Sequence, residues 1–214
     1  MMITAIVMMA GNATRMHIEE NKVFLPLGDK LVFQYSLDLF LSYSFEVICV
    51  VRKEDRHRLR DYEGKVKIVY GGKTRQESVF HGLKEATGDY TLIHDAARPF
   101  VTKRVVDCCI EAFKNQNACL VVSACKDSIY QRIPLKALQR DELVLAQTPQ
   151  GGKTKDLLEV HQKAIEEGLQ KTDDISLLLN YKDTIIKMIE NDDSNFKITT
   201  QLDYITAKEL ILHA

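Results

Sequence analysis

The chain has 214 residues, 45% of them hydrophobic, with 29 lysines and arginines against 30 aspartates and glutamates and a net charge of -1. That is enough chain to bury a substantial core, and the balanced charge supports neither a nucleic-acid surface nor an acidic tail. Cys49, Cys108, Cys109, Cys119 and Cys125 are scattered without a C-x-x-C pair, no signal-peptide pattern is present, and no apolar run nears the roughly 18 residues that span a bilayer, so a cytoplasmic protein with reduced thiols and no membrane segment is expected.

Residues 3–9 form an apolar run that reads as a buried strand. It opens into Ala10-Gly11-Asn12-Ala13-Thr14-Arg15-Met16, and Lys22 follows seven residues after Arg15. A buried strand ending in small residues and two cations suits a nucleotide's phosphates, because loop N–H groups can point at anionic oxygens while the cations neutralise charge. Residues 31–42 read as a helix with Leu31, Tyr35 and Leu39 on its inner face, 46–51 as a strand, 54–62 as a polar helix, and 66–70 as a strand closed by Gly71-Gly72. A helix from about 76–78 to 88 leads to a strand at 90–94, Thr102 is an N-cap for a helix to about 115, and 118–124 is a further strand. This βαβα order predicts an α/β fold with a Rossmann-like, doubly wound, mostly parallel sheet, its ligands beyond the carboxyl ends of the strands.

Residues 126–147 break the pattern. Two short alternating runs, 128–132 and 142–146, flank a polar connection containing Pro134, without a crossover helix. They read as a protruding β-arm that makes an oligomer contact rather than a lid. Helices at 154–167 and 173–181, a strand at 184–190 and a helix at 203–212 complete what reads as one domain over 1–214.

Two segments imitate a P-loop, Gly71-Gly72-Lys73-Thr74 and Gly151-Gly152-Lys153-Thr154, but Lys67 and Gln147 stand where the motif needs its first glycine. Gly11-Asn12-Ala13 does not complete G-x-G-x-x-G, which weighs against a dinucleotide oxidoreductase. His94-Asp95-Ala96-Ala97-Arg98-Pro99 follows a strand end, where an Asp can meet a ribose hydroxyl or a phosphate-bound Mg²⁺; a loop Asp capping local backbone and pairing with Arg98 is the alternative. Gly72 to Ser78 enters a helix, so its N–H groups and hydroxyl are either simple caps or contacts to a base or phosphate. Lys197 stands in an extended, otherwise uncharged stretch, for which a solvated lysine is the default. The six histidines have no close metal spacing, and no G-x-S-x-G elbow supports a hydrolase triad.

In this order, Ala10 to Met16 with Lys22, Gly71 to Leu83, His94 to Val101, Asp127-Ser128, Gln147-Thr148-Pro149-Gln150, Thr172-Asp173-Asp174 and Asn195 to Asp203 resemble the 2-C-methyl-D-erythritol 4-phosphate cytidylyltransferase family of non-mevalonate isoprenoid synthesis. The resemblance implies transfer of CMP from CTP to that polyol phosphate, with release of pyrophosphate. It implies Arg15 and Lys22 as catalytic groups at the α-phosphate, and a CTP pocket lined by Ala10, Gly11, Asn12, Ala13, Gly72, Ser78, Asp95, Ala96 and Arg98. Asp95, Ser128, Arg140, Thr148, Thr172 and Lys197 are then the acceptor-phosphate contacts, with Arg140 carried on the arm into the site of a homodimer partner. Mg²⁺ is the implied cofactor, held mainly by CTP phosphates with Asp95 as its candidate protein ligand.

Three positions depart from the family's pattern: Ala13 replaces a glycine, Ser128 a threonine, and Asn21 the proline before the lysine. Ala13 adds a methyl group where backbone approaches phosphate. Asn21 is expected to leave Lys22 less preorganised. The chemistry fits the residues without a dedicated base, because a phosphate monoester with a second pKa of about 6 is already mostly dianionic at neutral pH. What remains is to hold two phosphates in line against their repulsion. The rival acceptor is ribitol 5-phosphate, since Phe24-Leu25-Pro26-Leu27 and Lys197-Ile198-Thr199-Thr200 also suit that related family; a catalytically silent nucleotide-binding module is the alternative from another class.

Overall fold

A computed structural model describes residues 1–11, 20–115 and 118–213. The first strand, β1 (Ile3–Met8), is buried at every position, and its alternating side chains feed two separate cores: Ala5 and Val7 one, Ile6 and Met8 the other. A small antiparallel hairpin follows, β2 (Pro26–Leu27) and β3 (Lys30–Leu31), turning through Gly28 at φ +63°. Then come α1 (Val32–Leu41), β4 (Glu46–Val51), a 3-10 helix (Lys53–Tyr62), β5 (Lys67–Tyr70), α2 (Arg75–Glu85), β6 (Tyr90–Asp95), α3 (Lys103–Lys114) and β7 (Ala118–Ala124). The arm carries β8 (Tyr130–Gln131) and β9 (Lys136–Ala137), and the chain returns through β10 (Val144–Lys153), α4 (Thr154–Glu166), α5 (Asp174–Tyr181), β11 (Ile186–Glu190) and α6 (Gln201–Leu212).

Seven strands form one sheet in the order β11-β7-β10-β6-β1-β4-β5, parallel throughout except for β10, which runs antiparallel to both β6 and β7. Helices cover both faces. α1, α3 and the 3-10 helix pack on one side through Phe33, Phe40, Val106, Phe113 and Leu59, and α2, α4 and α5 on the other through Val79, Leu83, Leu157 and Leu178. This is the α/β, doubly wound, mostly parallel architecture expected from the alternation of elements. The order reverses at β1, which has β4 on one side and β6 on the other, and such a switch point opens a crevice beyond the carboxyl ends of the strands.

Three local expectations change. The run at 142–146, taken as part of the arm, is mostly the start of β10, a ten-residue central strand. The signal was hidden because Pro149, Gly151 and Gly152 interrupt any strand pattern, yet Gly151 is required by packing, since a Cβ there would overlap the Thr91 carbonyl oxygen, and one on Gly152 would sit tightly, 3.3 Å from Ala118 Cβ. The second P-loop imitation is therefore a close strand contact. In α1 the buried positions are Val32, Phe33, Ser36, Leu37 and Phe40, with Leu31, Tyr35 and Leu39 only partly covered. The polar helix at 54–62 is 3-10 with non-helical backbone at Leu59, where a buried leucine draws an otherwise charged segment onto the core.

Candidate active site

A cavity of about 670 Å³ lies where β1, β4, β5 and β6 end. Among the described residues its lining has six cations, Lys22, Arg52, Lys53, Lys73, Arg75 and Lys197, against two carboxylates, Glu54 and Asp95. In a chain of net charge -1, this cationic excess is local, and a low-dielectric wall concentrates its field on an anionic ligand. The strand ends are tied together below the cavity by Met9 N–H to the Val50 carbonyl at 2.8 Å, Gly71 N–H to Val51 at 2.9 Å and Ala96 N–H to Met8 at 3.1 Å.

Asp95 is the last residue of β6. Lys197 Nζ donates to its Oδ2 at 2.7 Å and Arg75 Nε to its Oδ1 at 3.3 Å. Burial pushes the Asp95 carboxyl up, but Arg75, Lys197 and Arg98 together outweigh it and hold the group well below the usual carboxylate range. Arg75 also grips Asp174 with both terminal nitrogens, at 3.1 and 2.8 Å, a bidentate geometry suited to a planar guanidinium. Asp174 is 1% exposed. Burial raises its pKa, and Arg75 and His161 bring it down to about 2. The floor is thus a chain of alternating charges, Lys197–Asp95–Arg75–Asp174, drawn from four separated segments.

A hydrogen-bonded relay sets the height of this floor. Burial lowers the His94 pKa to about 4, so the ring is neutral at neutral pH. Its Nε2 faces the Arg98 carbonyl at 3.1 Å, which can only accept, and its Nδ1 faces the Thr148 hydroxyl at 3.1 Å. Nε2 therefore carries the proton, Thr148 donates to Nδ1, and the same hydroxyl accepts from Asp95 N–H at 3.1 Å. Across the cavity, Ser78 Oγ accepts from Gly72 N–H at 2.9 Å and donates to the Thr74 carbonyl at 2.8 Å. Glu77 accepts from Lys73 N–H at 2.7 Å. A Cβ on Gly71 would lie 2.6 Å from Ala10 Cβ, so this turn packs directly against the end of β1.

The profile of the 2-C-methyl-D-erythritol 4-phosphate cytidylyltransferase (IspD) family matches residues 3–213. The chain belongs to that family. It is 36% identical to the 2-C-methyl-D-erythritol 4-phosphate cytidylyltransferase of Aquifex aeolicus, covering 98% of each chain. With the Clostridium tetani enzyme of the same name it shares 35% identity over 97% of this chain and 89% of that one. The crystal structure of 4-diphosphocytidyl-2C-methyl-D-erythritol synthase from Anaerococcus prevotii superposes with a TM-score of 0.87 at 28% identity, covering 99% of this chain and 98% of that one. Family membership makes the chain a cytidylyltransferase, a nucleotidyltransferase enzyme.

Of the residues that the cytidylyltransferase resemblance singled out, Ala10, Gly11, Lys22, Gly72, Ser78, Asp95 and Lys197 line the cavity. Asn12, Ala13 and Arg15 lie outside the described residues. Ala96 is fully buried, and its neighbour Ala97 lines the cavity instead. Arg98 turns from the cavity to donate to the Asn195 carbonyl at 2.7 Å. The Thr148 hydroxyl is engaged in the His94 relay, and Thr172 is exposed outside the lining. Ser128 and Arg140 border a separate hollow of about 190 Å³ on the arm, where Arg140 bonds only neighbouring arm groups, Asp141 and the Lys126 carbonyl, among the described residues. Arg75 and Asp174 lie within the stretches that carry the resemblance but were given no site role; their pairing spans 99 positions, and no local spacing announces it.

Proposed function

We propose that this chain transfers CMP from CTP to 2-C-methyl-D-erythritol 4-phosphate in the 670 Å³ cavity, releasing pyrophosphate. The observation that carries this is the local cationic excess around Asp95 at the sheet's switch point, within a chain of the 2-C-methyl-D-erythritol 4-phosphate cytidylyltransferase family. An acceptor phosphate oxygen attacks the α-phosphorus, the bond from that phosphorus to the bridging oxygen of the β-phosphate breaks, and pyrophosphate leaves with the electron pair. The attacking dianion needs no base, so the chain's contribution is alignment and charge neutralisation. Lys22 and Arg15 act on the α-phosphate, Lys197 on the acceptor phosphate, and the turn at Gly72 and Ser78 on the nucleoside.

No cluster of three His, Cys, Asp or Glu among the described residues could hold a metal ion, so Mg²⁺ would rest on one carboxylate and substrate phosphates, its usual manner of binding with nucleotides. Asp95, ionised and central, is the cavity carboxylate that would hold the ion, which would then share its oxygens with Lys197 and Arg75, whereas Glu54 is exposed. When bound, the ion neutralises phosphate charge.

The arm supports a homodimer. Tyr130, Ile133 and Leu135 are 60%, 83% and 78% exposed, a cluster of large apolar side chains that a second copy would cover. Arg140 and Ser128 then serve the partner's cavity, where Thr172 completes the acceptor contacts. No helix among the described residues is long and apolar enough to cross a membrane. Five free cysteines, three of them buried, suit a reducing cytoplasm.

The test is pyrophosphate release from CTP and Mg²⁺ with each polyol phosphate. Release with 2-C-methyl-D-erythritol 4-phosphate is expected. Release with ribitol 5-phosphate alone would overturn the acceptor, and CTP binding with no release would mark a silent module.

A further inference from the structure

The turn that carries Lys22 is too small to hold itself. It is a three-residue 3-10 helix, Lys22–Phe24, and so short a helix has little stability of its own. On its far side it is anchored by Val23 and Phe24, both buried, with Phe24 edge-on to Phe33 at 5.3 Å. On its near side the anchor is Asn21, only 1% exposed.

The Asn21 amide uses both of its donors and its acceptor. Nδ2 donates to the Met9 carbonyl at 2.6 Å and to Asp55 Oδ2 at 3.2 Å, and Oδ1 accepts from Val23 N–H at 3.4 Å, capping the turn. Each partner is fixed in its own right. Met9 is bonded to Val50 of β4 through its N–H. Asp55 is clamped by Arg52, Nε to Oδ2 at 2.6 Å and Nη2 to Oδ1 at 3.0 Å. One side chain therefore ties the Lys22 turn to the end of β1 and to the 3-10 helix that follows β4, both beside the cavity Lys22 lines. A buried amide is costly unless satisfied, and here both donors and one acceptor site are spent on this registration.

We propose that Asn21, supported by Asp55 and Arg52, is a positioning residue for Lys22 in cytidylyl transfer. The sequence suggested that an asparagine here would leave Lys22 loosely held; the network makes it the fixed point of the turn. The proposal rests on the assignment of Lys22 to the α-phosphate.

The test is a double-mutant cycle on the full-length enzyme: Asn21→Ala, Lys22→Ala and the pair, each measured for kcat, KM for CTP and thermal midpoint. Displacing a catalytic group by an ångström costs about 100-fold, so Asn21→Ala is expected to lower kcat by roughly 10- to 100-fold while KM for CTP moves far less. In the Lys22→Ala background the same change should have no further effect on kcat. Losses that multiply in the double variant would overturn the proposal, as would an unchanged kcat in Asn21→Ala. An unchanged kcat in Lys22→Ala would overturn the reading of Lys22 itself, and that arm shows it independently of Asn21. Should Asn21→Ala fail to fold, Asp55→Asn, which keeps the side-chain volume and loosens the Arg52 clamp, takes its place in the same cycle with the same outcomes.

Discussion

On the cavity floor, Lys197, Asp95, Arg75 and Asp174 find their counterparts inside one chain, at 2.7 to 3.3 Å, whereas on the arm Tyr130, Ile133 and Leu135 stand open and Arg140, among the described residues, bonds only its own neighbours. Both regions carry residues assigned to the acceptor, but only the floor is internally complete. The difference teaches that a charged site can be preorganised before any substrate arrives, because its ions already hold each other's geometry, while the arm, in the proposed dimer, would be satisfied only by a second subunit.

The largest effect should come from breaking the floor. Arg75→Met leaves Asp174 and Asp95 without their shared cation, and removing one member of a buried pair typically costs about 3–5 kcal/mol. A lower urea midpoint and a loss of activity are expected together; a variant as stable as wild type would show that the pairing contributes little.

Acid should break the same region gradually. His94 has a folded-state pKa of about 4 against an ordinary 6.5, so its contribution is fully present above pH 6.5 and is lost as pH falls toward 4, on the order of 3 kcal/mol. Asp174, depressed to about 2 from 3.8, adds a second loss between those values, and Asp95 shifts in the same direction. Urea midpoints measured from pH 7 to 2 should therefore fall in two stages, and His94→Gln should flatten the upper one.

The smallest effect on the single chain should come from the arm. Ile133→Ser and Leu135→Ser alter side chains that are 83% and 78% exposed, so subunit stability should change by about 0.5 kcal/mol or less. Sedimentation should nevertheless shift toward the monomer. A large loss of subunit stability would instead place the arm in the fold of its own chain.

The same contrast governs what sequence could reveal. β1 was legible because six consecutive buried residues need nothing beyond themselves, and Asp95 because it follows a strand end. β10 was obscured by Pro149, Gly151 and Gly152, whose fitness depends on neighbouring strands rather than on local pattern. Lys197 looked solvated until its distance of 2.7 Å to Asp95 was in view. Arg75 and Asp174 lie 99 residues apart, and a pairing of that separation leaves no trace in spacing. Asn21 differs most: its lack of a ring suggests looseness, but φ is -67° and the amide makes three hydrogen bonds.

The proposed sharing of each active site between the cavity of one chain and the arm of another is tested most directly by mixing two inactive variants. Lys22→Ala damages a cavity and Arg140→Ala an arm, so hybrid dimers would contain one intact site, and random exchange should restore about a quarter of wild-type sites. Recovered pyrophosphate release after mixing is the predicted result. No recovery, with subunit exchange verified, would contradict a shared site.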